Sequence, residues 1–150
     1  MQRSLIPGRI QSIRVSAWEM RARVSLALAE RGGDRAELLR VVARDAHRLA
    51  REDLAHASAR ALALRAASAH LQGDRASAVR GLRDSIAAFT ALDMALNASV
   101  LRSVLGALVE GDEGRALRDA AATWFASQSV KRPERFVAMM APGFGDATSS

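Results

Sequence analysis

Three Gly-Asp steps constrain this chain more than any other feature. Gly33-Asp34, Gly73-Asp74 and Gly111-Asp112 lie in GGDRAELL (32–39), GDRASAV (73–79) and GDEGRAL (111–117). Glycine takes the left-handed backbone that closes a helix without steric cost. Aspartate accepts from the orphan N–H groups of a helix start. Each step therefore reads as one helix ending and the next beginning. The aspartates stand 40 and then 38 residues apart, so the pattern is an internal repeat of helix, break, helix. Each such hairpin has apolar surface that only its neighbours can cover, which implies one core shared by three units.

The apolar spacing between the breaks fills in the elements. Residues 1–8 read as a lead-in ending at the turn residues Pro7-Gly8. A first helix over 9–30 places Ile10, Ile13, Ala17, Met20, Val24 and Leu28 on one stripe, expected to be buried. Arg14, Glu19 and Arg21 fall off it, and Trp18 borders it as a packing residue. Asp34 with Glu37 has the form of a capping box, opening a second helix to Arg51 that buries Leu38, Val41, Val42 and Leu49. A third, alanine-rich helix over 54–72 carries Leu62 and Leu64. The fourth, capped by Asp74, buries Ala78, Leu82, Ile86 and Phe89, with small Ser85 on the packed face. Asp93 is expected to cap a fifth helix burying Met94, Leu101, Val104, Leu105 and Leu108. Asp112 plays that part for a sixth with Leu117, Ala120, Ala121, Trp124 and Phe125, although Gly114 is awkward in its first turn. Pro133 suits the first turn of a short seventh helix, whose apolar side is Phe136, Met139 and Met140 and which Pro142-Gly143 stops. The organisation is one helical domain over 9–145, with hairpins near 9–51, 54–91 and 93–128, a cap at 133–141 and a tail at 146–150.

Composition narrows the class. Apolar residues are 49% of the chain but aromatics only 4%, so helices can pack closely through thin, alanine-rich interfaces. Cysteine is absent, which removes disulfide and thiolate chemistry. No apolar run approaches the ~18 residues of a membrane span, and MQRSLIPGRI lacks a signal-peptide core. These features point to a soluble, cytoplasmic protein. The net charge of +6 is uneven: residues 1–52 hold 11 basic and 6 acidic groups, and the rest is nearly balanced. Such asymmetry marks either a partner-facing end or a solvated face.

Candidate chemistry is sparse. His56 and His70 share a helix but lie roughly 21 Å apart along it, and no HExxH or paired cysteine accompanies them or His47. No metal or cofactor is expected. Asp34, Asp74 and Asp112 recur at helix starts, where capping explains them better than acid catalysis. No serine sits in a strand-to-helix elbow. The chain reads as non-enzymatic. Arginines in the first two helices suit phosphate neutralisation, but Glu19, Glu30, Glu37 and Asp45 interrupt them and no aromatics interleave.

The helices flanking Gly73-Asp74 resemble a tetratricopeptide repeat, although the period is nearer the roughly 40–47 residues of HEAT-type units. LDMALNASVLRSVLG (92–106) and GDEGRALRDAAATWFASQSVKRPERFVAMMAPGF (111–144) resemble the C-terminal helical-repeat region of bacterial eukaryotic-type serine/threonine kinases and related multidomain signalling proteins. The chain carries no Gly-rich loop, VAIK-like lysine, HRD or DFG, so phosphoryl transfer does not follow. Arg65 and Asp45 also depart from the repeat pattern. The resemblance implies an all-α, tetratricopeptide-like right-handed superhelix of three helical hairpins plus a short capping helix. It implies a protein-interaction or scaffolding module of a signalling protein, binding a protein or peptide on its concave face, with homo-oligomers possible. Registering the breaks puts Arg23, Ala27 and Glu30 on that face beside Arg60, Ala67 and His70, and the binding residues are expected to be Arg23, Arg60 and His70. Leu101, Leu105 and Leu108 extend the same face and are expected to lie under the terminal helix. The alternative is a nucleic-acid-associated effector region of a transcription regulator.

Overall fold

Helix ends decide where this chain turns, and two of the three repeated breaks end helices as their residues dictate. The computed structural model describes residues 6–148. Among them are eight helices and no strand: α1 (Ile6–Glu30), α2 (Arg35–Arg51), α3 (Ala55–Leu71), α4 (Arg75–Ala91), α5 (Ala95–Leu108), α6 (Gly111–Ser127), α7 (Pro133–Met140) and α8 (Gly145–Thr148). The Asp34 carboxylate accepts from Glu37 N–H at 3.1 Å, and Asp74 accepts from Ser77 N–H at 3.0 Å. Gly73 is left-handed at φ 80°, and the Asp74 N–H closes α3 by donating to Ala69 O at 2.9 Å.

The other two expected caps are corrected. Asp93 does not cap α5: at φ 55° it fills the left-handed position that closes α4, and Met94 N–H donates to Phe89 O. Aspartate tolerates that conformation better than most residues. Asp112 lies inside the first turn of α6, whose N-cap is Glu110 without a side-chain bond. Near the start, helix already includes Ile6–Gly8, part of the expected lead-in, and residues 1–5 lie outside the described residues.

Helices pack in adjacent pairs, α1 on α2, α3 on α4 and α5 on α6, and α2–α3 and α4–α5 contacts join the pairs in chain order. α7 and α8 return against α5. Small residues set the close approaches. Ser85 Oγ donates to Ala59 O at 2.8 Å with both residues buried, and Gly81 lies against Ala66. A Cβ on Gly114 would stand 2.1 Å from Val109 O, and one on Gly106 would stand 2.9 Å from Gly114 O. Gly114 is the contact point of α5 and α6, which is why α6 tolerates it.

The core runs through Leu26, Val42, Leu49, Leu82, Phe89, Val104, Leu105 and Phe125, all almost fully buried. In α2 the buried set is Leu39, Val42, Asp45, Ala46 and Leu49, with Leu38 and Val41 half-buried. In α7 it is Val137 that is buried, while Phe136 and Met140 are half-buried and Met139 is 60% exposed. The largest correction concerns α1. Ile10, Ile13, Met20, Val24 and Leu28 are exposed, and the helix buries Val15, Ala22, Ser25, Leu26 and Ala29 instead. Alternating steps of three and four identify an apolar face, and α1 has two of them.

Candidate functional site

The three residues expected to bind a partner lie along one side of α1 and α3, and the chain's own C-terminal segment lies across it. After α7 the backbone turns at Pro142-Gly143, with Gly143 left-handed at φ 98°. A Cβ there would meet Ala67 at 3.1 Å and Leu26 at 3.5 Å, so the main chain rests directly on α3 and α1. The next residue, Phe144, is 2% exposed and packs against the His70 ring with centroids 5.2 Å apart.

Polar contacts fix the segment on both sides of that aromatic. Arg23 Nη2 donates to the Met139 carbonyl and approaches the Met140 sulfur. The Gly145 N–H donates to the Glu30 carboxylate. His70 Nε2 lies 2.8 Å from Asp146 Oδ1, and because an ionised carboxylate only accepts, the ring nitrogen is the donor. This hydrogen bond holds the Asp146 carboxyl below its ordinary range.

Arg60 stands in the same region, and its guanidinium pairs with Glu19 of α1. Burial pushes the pKa of both Arg23 and Arg60 down. The Nε of each arginine is out of water without a hydrogen-bond partner. Both line a cavity of about 50 Å³ beneath the segment, with Leu26, Leu64, Phe89 and Leu101 as its apolar wall. Drug-sized ligands occupy pockets of roughly 300–1,000 Å³, so with the segment in place this space admits no such molecule. Leu101, Leu105 and Leu108 are all buried, and α5 lies under α7 and α8.

Sequence reasoning grouped Arg23, Glu30, Ala67 and His70, and the structure brings them together. It missed what they hold. Phe144 and Asp146 fell in the closing motif and tail, yet PGFGD places a single aromatic between glycines beside a carboxylate. That run is the signal: it allows the main chain to approach a surface closely while presenting one ring and one charge.

No group of three metal-ligating side chains stands together among the described residues, and no helix among them is long and apolar enough to cross a membrane. No protein-family model, curated protein or solved structure matches the chain.

Proposed function

We propose that the protein is a non-enzymatic interaction module that captures an extended peptide on the concave face of a tetratricopeptide-like helical array. In this reading its own C-terminal segment is the resident occupant, which a partner displaces. The supporting observation is the way residues 139–146 are held. Arg23 takes a main-chain carbonyl, Glu30 takes a main-chain N–H, and His70 takes both the Phe144 ring and the Asp146 carboxylate. A face that recognises backbone, an aromatic and an acid two residues later is equipped for a peptide with that spacing. A scaffolding role in signalling follows from the resemblance of residues 92–144 to kinase-associated repeats.

The test is competition. A labelled peptide of residues 139–148 should bind the Phe144→Ala chain at least about tenfold more tightly than the wild type, because the variant vacates the aromatic site. Adding Arg23→Ala or His70→Ala to that variant should weaken the binding again. Equal affinity for wild type and Phe144→Ala would reject the reading. Binding to random duplex DNA at physiological salt, lost on changing the exposed Arg40 and Arg44, would favour the nucleic-acid alternative, since phosphate contacts dominate such affinity.

A further inference from the structure

We infer that the outward face of α1 is a docking site for an amphipathic, acid-flanked α-helix of a partner protein. Ile10, Ile13, Met20, Val24 and Leu28 are each about half exposed or more, Ile13 at 68% and Met20 at 57%. They recur at steps of three, seven, four and four, on the side of α1 opposite the buried Val15, Ala22 and Leu26. The face runs roughly 27 Å along the helix. At its C-terminal end Met139 of α7, 60% exposed, joins a trough with Met20, Val24 and Ala27. Solvent-facing residues this large, spread over five helical turns with exposed Ala17 between Ile13 and Met20, mark an interaction surface.

Two observations choose the occupant. The first is the helix order. α3 is packed between α2 and α4, and α5 between α4 and α6, whereas α1 has α2 and contacts α3, and among the described residues its outward stripe stays about half exposed. Continuing the established pattern of helix-on-helix contacts places another helix there. About 18 residues of helix match the length of the stripe.

The second is charge. Both carboxylates of α1 are used on the other side, Glu19 by Arg60 and Glu30 by the Gly145 N–H. The outward half is left with Arg9 at one end, Arg31 just past the other, and Arg14 and Arg21 on its flank. The last two pair with Glu52 and Asp45 but stay about half exposed. Two copies of α1 laid together would set these cations against one another. A helix with an apolar stripe and Asp or Glu beside it satisfies both features.

The stripe lies opposite the buried side of α1, and only its C-terminal end adjoins the resident segment, at Met139. Panning a displayed library of 18-residue helical peptides against the full chain should enrich sequences apolar at i, i+3/i+4 and i+7 with acidic flanks. A selected peptide should bind the Ile13→Ser/Val24→Ser variant at least about tenfold more weakly than the wild type. Both substituted side chains are exposed, so folding should be retained, and an unchanged melting temperature checks it. Enrichment of neutral or basic helices, or equal binding to the double variant, would overturn the inference. So would concentration-dependent dimerisation abolished by Ile13→Ser/Val24→Ser, which makes a second copy the occupant. Partition of the wild type, but not the double variant, onto anionic vesicles would overturn it in favour of a membrane surface.

Discussion

Asp45 is the least expected residue in the core. It is fully buried on α2, and it is held by Arg21, whose Nε donates at 2.7 Å, and by Arg48 at 3.3 Å. The sequence suggested a misfit where the repeat pattern wants a small side chain. The structure shows instead a carboxylate clamped by two arginines that reach in from solvent, with Trp18 lying 5.8 Å from the Arg14 and Arg48 guanidinium carbons. The bond to Asp45 raises the Arg21 pKa. Hydrogen bonds to charged groups contribute about 1.5–3 kcal/mol. Both arginines are about half exposed and can re-solvate, so the lower half of that range applies. Asp45→Ala should therefore destabilise the chain by about 1.5–2 kcal/mol, read as a lower urea midpoint at constant m-value. Asp45→Leu should lose less, because it fills the site and strands no buried charge. Equal losses for the two variants would show that packing at this position does not matter.

At the scale of elements, glycine placement separates what a sequence reveals from what it hides. Gly73 was legible, because a left-handed residue must close α3. Gly114 was read as a defect, because its reason lies outside α6: its Cβ would overlap Val109 O in the preceding turn and meet Gly106 O of α5 at 3.1 Å. Gly114→Ala should thus destabilise by about 1–3 kcal/mol through overpacking, although alanine is intrinsically the better helix former by about 1 kcal/mol. A melting temperature equal to or above that of the wild type would refute the close packing of Gly114 on the α5–α6 turn. The same limit explains α1. Its period of three and four was visible, but periodicity does not say which of two apolar faces meets a neighbour. Large Ile10, Ile13 and Met20 advertised the wrong one, while Ala22, Ala29 and Ser25 on the packed side carried little signal. The positions of α1 to α7 were legible because capping and turn chemistry are local, whereas α8 falls where a tail was expected. The burial pattern of α1 and α7 was not, because it depends on what arrives from elsewhere in the chain.

For the whole molecule, the consequence is that closure depends on the last few turns of the chain. Arg23, Glu30, Ala67 and His70 meet a segment that lies 70 or more residues further along the sequence and joins by long-range contacts. Its hold should respond to acid. Asp146 has a folded-state pKa depressed by its bond from His70, so it favours the docked segment fully above the ordinary carboxylate value, roughly 3.9. That contribution is lost as pH falls through the depressed value. Glu30 receives the Gly145 N–H, and Arg31 and Arg35 border the same space. Asp146 is mostly exposed, so the effect should loosen the segment before it unfolds the core. Hydrogen exchange of amides 141–148 should accelerate, beyond the intrinsic pH dependence of exchange, as pH drops from 5 to 3, while amides of α3 and α4 keep their protection. Asp146→Asn should already exchange faster at pH 5 and change less on acidification. A variant that opens along the wild-type curve would show that the His70–Asp146 contact does not hold the segment in place.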